Sequence, residues 1–360
     1  MINEHARGHI GIIACNSGRH FAVKVAKELE EIIRSELIPE EKGKPLEIIR
    51  DSEEDWFGNS EMKTGVGFIR NQDIYIIQDV ENKTEGGSVS DNYMALKTAI
   101  DSARMAHAHY ITAVVPVFPF ARQDKPRADV KDGRKYREGL TAAMVARELE
   151  DAGASNIMTL DIHNEATPGF FRTARFDNLR ASKTFLDYIT QNIPLDNLVI
   201  VTPDTGAMGR NEFFANKLKK KLNVIWKERD YTTGNKVDTM ILLGNVRGKN
   251  VLMVDDMIDT AGTVVKAVEL LKEHHAKNIY FAASLPLLNH PAVERLDKLY
   301  EEGKHREEGR LQQVIGTDVV YHGENFAQEH PWFVERSVAK YFAKVIYNVN
   351  KGRSISPLLE

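Results

Sequence analysis

The chain has 360 residues, of which 42% are hydrophobic and 28% charged, with a formal net charge of −4. That length accommodates two domains of ordinary size, and the composition excludes a disordered or fibrous protein. The weak charge leaves no basic field for nucleic acid or an anionic membrane, the single cysteine, Cys15, excludes an intrachain disulfide, and no run of about 18 apolar residues marks a membrane span.

The first residues lack the apolar core of a signal peptide, so a cytoplasmic location is expected. Residues 10–14 read as a short apolar strand. Asn16-Ser17-Gly18 then turns into a helix with Phe21, Val25 and Leu29 on its apolar face. Residues 35–55 are polar, contain Pro39 and Pro45, and read as a loop with a strand candidate at 46–50. Next comes Trp56-Phe57-Gly58-Asn59-Ser60-Glu61. An aromatic followed by short polar residues can stack a base and bind its edge, although local sequence alone favours a surface loop with one packed aromatic. Residues 74–78 are a strand. Gly65-Val66-Gly67 before it lacks the third glycine and the strand-to-helix frame of a dinucleotide fingerprint. No P-loop motif occurs, so any use of ATP proceeds without one.

Residues 91–107 read as a helix with Leu96, Ile100 and Ala103 toward a core, and 111–117 as the next strand. It runs into Pro119-Phe120-Ala121-Arg122-Gln123-Asp124. A cation at the carboxyl edge of a strand either meets a nucleotide phosphate or is simply solvated. Residues 125–138 are dense in Lys, Arg and Asp and read as a mobile loop. A helix at 141–149 ends with Gly153 placed to cap it. The strand at 156–160 ends in Asp161-Ile162-His163, where a histidine is either structural or functional. Residues 177–182 are polar, and a boundary falls near Asn178. The helix at 184–189 starts a second α/β block.

In that block a strand at 198–201 enters the small-residue turn Thr202-Pro203-Asp204-Thr205-Gly206-Ala207, before a helix at 212–219. The strand at 223–226 ends in Lys227-Glu228-Arg229, followed by the turn Gly234-Asn235 and a strand at 236–243. Alternate spacing puts Lys227 and Arg229 on one face of an extended chain. Local sequence alone favours two ordinary surface cations.

The most informative stretch follows. Residues 251–254 are a buried strand that stops in three acids, Asp255, Asp256 and Asp259, and a helix begins at Val264 with Val268 and Leu271 behind it. Gly262 permits close approach of a ligand, Thr260 and Thr263 offer hydroxyls, and the N–H groups opening the helix form an anion site. Asp255 and Asp256 call instead for hydroxyl donors or a cation. A phosphate at one end and vicinal hydroxyls at the other describe a ribose phosphate. The plain alternative is an acidic, solvated turn. Beyond it lie a strand at 279–283, a helix at 291–300, a charged excursion at 301–312, a last strand within 313–320, a helix at 337–346 and a tail.

In chain order the sequence carries N-S-G-R from Asn16, F-G-N-S-E from Phe57, A-R-Q-D from Ala121, L-D-I-H from Leu160, G-F-F from Gly169, T-P-D-T-G from Thr202, K-E-R from Lys227 and D-D-M-I-D-T-A-G-T from Asp255. Together these resemble the ribose-phosphate pyrophosphokinases over nearly the whole chain. Phosphoribosyltransferases share only the last motif.

The resemblance implies an α/β protein of two type-I phosphoribosyltransferase-like domains, each a mainly parallel sheet flanked by helices. The expected domains are 8–178, joined by the tail 347–360, and 179–346. The implied reaction moves the β,γ-pyrophosphoryl group of ATP to the anomeric hydroxyl of ribose 5-phosphate, with Mg2+. By the same resemblance Phe57, Asn59, Glu61, Arg122 and Gln123 hold ATP, and His163 and Asp204 bind metal. Asp255, Asp256, Asp259, Thr260, Ala261, Gly262 and Thr263 take the sugar phosphate, and Lys227 and Arg229 are the catalytic flap cations. A homo-oligomer built from dimers, up to a hexamer, is implied too.

The sequence departs from the family at several points. Residues 35–55, 125–137 and 301–312 look longer than usual. Ala207 stands where glycine is common, which suggests crowding. Glu165 puts a negative charge, and Leu359 a non-aromatic residue, in regions tied to regulation by phosphate and ADP. Weak phosphate activation and weak ADP allostery are expected.

Overall fold

The computed structural model describes residues 7–37, 45–84, 87–126, 128–131, 134–229 and 238–359. The chain divides into two compact units. The first comprises the residues up to Arg180 together with Asp318–His322 and Val338–Glu360, and the second comprises Ala181–Thr317 and Gly323–Ser337.

The first unit opens with β1 (Ile10–Ala14) and α1 (Arg19–Glu36). The hairpin β2 (Ser52–Trp56) and β3 (Met62–Val66) follows, then β4 (Asp73–Ile77) and α2 (Val89–Met105). Next come β5 (Tyr110–Val114), the strands β6 (Ala128–Lys131) and β7 (Arg134–Arg137), α3 (Thr141–Ala152), β8 (Asn156–Leu160) and β9 (Arg175–Leu179). The main sheet runs β1-β4-β5-β8-β9 and is parallel throughout. β4 and β8 are buried at every position, which is why they read as unbroken apolar runs rather than alternating ones. The N-terminus of α2 is closed by a reciprocal capping box between Ser88 and Asp91.

Several elements differ from the sequence reading. β2 lies inside the stretch read as a loop. Its residues, S-E-E-D-W, carry no apolar alternation, and pairing with β3, which itself docks on α2, makes the strand instead. Thr64 Oγ1 lies 2.8 Å from Thr98 Oγ1, and Ser102 Oγ donates to Thr64 O at 2.6 Å. The strand candidate at 46–50 reduces to one bridge between Ile49 and Ile12. The supposed mobile loop 125–138 contains the antiparallel pair β6 and β7. The signal was present in the sequence, because Asp132-Gly133 separates the two strands and such dipeptides favour two-residue hairpin turns. β9 was missed within R-F-D-N-L because it is an edge strand with one polar face.

α3 also organises the loop that returns to β9. The Glu150 carboxylate accepts the backbone N–H groups of Arg172, Thr173 and Ala174 at 2.9, 2.6 and 2.7 Å, with the Arg172 guanidinium beside it. Burial opposes ionisation, yet these donors outweigh it and hold the carboxyl down at about 2. Glu150→Ala is expected to destabilise the protein by about 3 kcal/mol, since three N–H groups lose a charged acceptor. The loss should appear in denaturant melts at neutral pH and shrink only as the pH falls toward 2. Equal melts for variant and parent at pH 7 would reject it.

The second unit begins with α4 (Ser182–Asn192), β10 (Leu198–Thr202), α5 (Met208–Leu218), β11 (Leu222–Arg229) and β12 (Asp238–Leu243). It continues with β13 (Asn250–Ile258), α6 (Gly262–Glu273), β14 (Asn278–Pro286), α7 (Ala292–Gly303) and β15 (Arg310–Thr317). The short α8 (Phe326–Glu329) and β16 (Phe333–Arg336) complete it. The sheet order is β12-β11-β10-β13-β14-β15-β16. All pairings are parallel except β11 with β12, a hairpin at the sheet edge. The core gathers Val251 and Met253 of β13, Phe281 of β14, Val264 and Leu271 of α6, and Trp332.

β13 does not stop before its acids, as expected from sequence. It carries Asp255 and Asp256 within the strand, because Asp255, Met257 and Ile258 are in register with Ala283, Leu285 and Pro286 of β14. The charged excursion at 301–312 is the end of α7, a turn at 304–309 and the start of β15.

α9 (Ala339–Asn350) and α10 (Ser356–Leu359) belong to the first unit. Phe342 meets Phe21 of α1 edge to face at 5.1 Å, and Asn350 Nδ2 donates to the buried Asp73 Oδ2 at 3.0 Å. The chain therefore returns to the first unit briefly at Asp318–His322 and finally at Val338, not at Tyr347, and the sequence placed α9 wrongly because an amphipathic helix does not say which face it will cover. Among the described residues no helix is long and apolar enough to cross a membrane.

Candidate active site

In the second unit the carboxyl ends of β10, β11 and β13 converge. The turn after β10 is shaped by Asp204, whose Oδ1 accepts the N–H of Ala207 at 3.0 Å. Thr202 Oγ1 donates to Asp204 O at 2.6 Å. Ala207 precedes α5 with φ −87°, an ordinary value, so alanine in place of glycine brings no backbone strain here. Lys227 extends from β11 and places Nζ 3.4 Å from Asp204 Oδ2. Arg229 is the last residue of β11, in register with Asp238.

At the end of β13, Asp255 Oδ1 accepts the N–H of Asp256 at 2.9 Å, and Asp256 Oδ1 accepts that of Met257 at 2.8 Å. Asp256 is buried. Burial first, and then the Asp256 and Asp204 carboxylates, push Asp255 up to about 8. Negative charge is therefore crowded where Asp204, Asp255 and Asp256 face one another, and a cation or hydroxyl donors arriving there would relieve it.

Two residues overlooked in the sequence hold this arrangement. Arg210 of α5 brings Nη1 to 3.7 Å from Asp255 Oδ1. The buried Asn211 donates to Val254 O at 2.7 Å and accepts from Val254 N at 2.9 Å, fastening α5 to β13 one residue before the acid pair. A polar residue at a core position of an otherwise amphipathic helix was the available signal.

The loop from Asp259 to Thr263 is pinned from its flank. Asn289 Nδ2 donates to Asp259 Oδ1 at 2.8 Å, and Arg295 Nη1 donates to Thr260 O at 2.8 Å. Ala261 stands at the cap of α6 with φ +57°, a left-handed conformation unusual for a residue with a Cβ. Gly262 opens the helix, and a Cβ there would lie 3.7 Å from Arg295 Nη1, an ordinary contact. The protein interior thus has room for a larger residue, and a glycine instead suits close approach of a ligand from outside. The first N–H groups of α6 have no partner within the helix, as expected of an anion site.

In the first unit, Phe57, Asn59 and Glu61 form the tip of the β2–β3 hairpin. Phe57 is half exposed, Lys63 Nζ lies 5.6 Å from its ring centre, and Asn59 Oδ1 accepts the N–H of Glu61 at 3.1 Å. Arg122 and Gln123 lie on a separate turn after β5, both exposed. Gln123 is fixed there by Thr141 Oγ1, which donates to its Oε1 at 2.5 Å. His163 is exposed on the loop after β8. Glu165 on that loop is paired with Arg180 and so is not a loose negative charge.

Among the described residues no group of three or more His, Cys, Asp or Glu side chains forms a ready metal cage. The Asp204 carboxylate, partly exposed just after β10, suits Mg2+, which takes one or two protein carboxylates and completes its shell with water and substrate phosphate.

Comparison with known proteins agrees with this arrangement. The N-terminal domain of ribose phosphate pyrophosphokinase matches residues 10–153, and the phosphoribosyl transferase domain matches residues 177–318. A ribose-phosphate pyrophosphokinase of Porphyromonas gingivalis is 36% identical over 294 residues, which is 81% of this chain and 83% of that one. Ribose-phosphate pyrophosphokinase 1 of Listeria monocytogenes is 31% identical over 364 residues, covering 100% of both chains. The crystal structure of phosphoribosylpyrophosphate synthetase from Mycobacterium smegmatis superposes with a TM-score of 0.78 at 28% identity, over 96% of this chain and 99% of that one. Since both halves of the chain match and the likeness runs from end to end, the chain belongs to the ribose-phosphate pyrophosphokinase family.

Proposed function

We infer that the protein transfers the β,γ-pyrophosphoryl group of ATP to the anomeric hydroxyl of ribose 5-phosphate, releasing 5-phosphoribosyl 1-pyrophosphate and AMP. The observation that carries this is the acid pair Asp255 and Asp256 at the end of β13, directly before the helix N-terminus at Gly262, in a chain of this family. The acids accept the ribose hydroxyls, and the N–H groups of the loop and of α6 take the 5-phosphate with the hydroxyls of Thr260 and Thr263. The sugar's anomeric oxygen forms a bond to the β-phosphorus as the bond from that phosphorus to AMP breaks. The hydroxyl proton leaves to water.

ATP is held by Phe57, whose ring stacks on the base, by Asn59 and Glu61 at the base edge, and by Arg122 and Gln123 toward the phosphates. His163 and Asp204 are each ligands of Mg2+, which when bound supplies positive charge to the phosphate oxygens. Lys227 and Arg229 add cationic charge where negative charge grows during transfer, the largest single contribution in reactions of this type. A reading as a phosphoribosyltransferase leaves the hairpin tip, Arg122 and the β11 cations without a task. We place the enzyme in the cytoplasm as a dimer-based homo-oligomer without nucleic-acid or membrane partners.

The test is AMP release from ATP, measured with Mg2+, with and without ribose 5-phosphate, across a range of phosphate concentrations. Sugar-dependent AMP formation is expected. ATP binding without AMP would mark a non-catalytic regulatory relative instead. The same assay is expected to show little activation by phosphate, and a steep sigmoidal rise in rate would overturn that expectation.

A further inference from the structure

The loop that carries His163 is gripped from outside by one side chain. Arg180 places Nη1 3.4 Å from Asp161 Oδ1 and ion-pairs through Nη2 with Glu165 Oε1. These carboxylates lie two residues before and two residues after His163. Asp161 is only 4% exposed and has φ +43°, a left-handed conformation that a residue with a Cβ keeps only where its surroundings impose it. Further contacts complete the restraint. Ile162 N donates to Asn178 Oδ1 at 3.0 Å, and Asn164 Nδ2 donates to Asp124 Oδ2 at 2.5 Å. Arg180 is itself anchored, its backbone N–H donating to the Tyr341 hydroxyl at 3.4 Å.

Neutralising the buried Asp161 needs one cation and one contact. It does not explain the second arm. The Glu165 side chain is 67% exposed, and an exposed pair of this kind adds little stability. What the second arm adds is geometry: a planar guanidinium that holds both carboxylates fixes the chain on each side of the imidazole.

We propose that Arg180 is a positioning residue, which aims the His163 imidazole at the divalent cation by bridging Asp161 and Glu165. The proposal rests on the assignment of His163 as a Mg2+ ligand. The experiment is titration of Mn2+ into the full chain holding a non-hydrolysable ATP analogue, with the free ion read by electron paramagnetic resonance. Arg180→Lys keeps a cation for Asp161 and loses the two-armed fork. It is expected to weaken Mn2+ binding about tenfold, the usual scale for groups that orient a metal ligand. The melting temperature and the KM for ribose 5-phosphate should stay unchanged. Glu165→Gln, altered only on the exposed arm, should show a smaller loss of the same kind. In a His163→Ala background Arg180→Lys should have no further effect on Mn2+. Unchanged Mn2+ affinity in Arg180→Lys, or an additive loss in the double variant, overturns the proposal and leaves His163 as a ligand. Unchanged affinity in His163→Ala overturns both.

Discussion

Lys227→Ala is expected to lower kcat about a hundredfold or more while the protein folds normally and binds both substrates. The resting structure explains why stability should be spared. Lys227 Nζ stands 3.4 Å from Asp204 Oδ2, and the two side chains are 22% and 36% exposed. A pair this open to water contributes at most about 1 kcal/mol. During transfer the position of the cation matters far more. Charge spreads over the oxygens of the moving group, and a preorganised cation in a water-poor site contributes on the order of 3 kcal/mol to that state. Asp204 holds the ammonium at the carboxyl edge of the sheet in the resting structure. Lys227→Arg should retain part of the rate, because the charge remains while its geometry changes. The measurement is steady-state kinetics in both substrates beside a thermal melt. Near-normal turnover in Lys227→Ala would falsify the catalytic assignment.

Asp255→Asn is expected to do two opposite things: to stabilise the fold near pH 8 and to weaken ribose 5-phosphate binding about a hundredfold, the scale of one or two hydrogen bonds to a charged acceptor. The first effect follows from linkage. Asp255 is pushed from its ordinary 3.8 up to about 8, by burial and then by Asp256 and Asp204. The folded protein holds this proton more tightly than the unfolded chain does. The stability it lends is therefore full below pH about 4 and is lost as the pH rises through 8. Asparagine never ionises, so the variant avoids that loss and its advantage grows between pH 5 and pH 8. The second effect follows because sugar hydroxyls donating to Asp255 favour its ionised form, and asparagine cannot offer two charged acceptor oxygens in its place. Melts at pH 5 and pH 8 test the one, and the KM for ribose 5-phosphate tests the other. A variant less stable than its parent at pH 8 would contradict the crowded-charge reading, and an unchanged KM would remove Asp255 from the sugar site. Such a trade is common where a binding site is assembled at the expense of the fold.

The sequence made the apolar parallel strands plain because each is covered on both faces, as β4, β8 and β10 are. It made the acidic turn between β13 and α6 plain because acids, small residues and a helix start follow one another without interruption. The strands it concealed are held by partners rather than by their own composition. β2 needs β3, and β9 needs β8. The site was concealed in the same way where it depends on residues distant in sequence. Arg210 and Asn211 act on β13 from α5, and Arg295 secures Thr260 from α7, and of the three only Asn211, polar at a core position of its helix, carried a local mark. Ala207, read in sequence as a point of crowding, has an ordinary backbone with negative φ.

The return of α9 to the first unit bears on how the chain is made. A ribosome delivers the first unit's sheet early, yet the apolar side of α1 that receives Phe342 has no cover until Ala339–Asn350 has been synthesised. By then nearly all of the second unit has emerged and can close its own core. The usual order, in which the N-terminal domain matures first, is thus reversed here. During synthesis the nascent first unit exposes Phe21 and the Asp73 carboxylate, which α9 later covers or satisfies. Arrest or truncation before Val338 should leave a folded second unit tethered to a first unit that chaperones and proteases still recognise as unfinished.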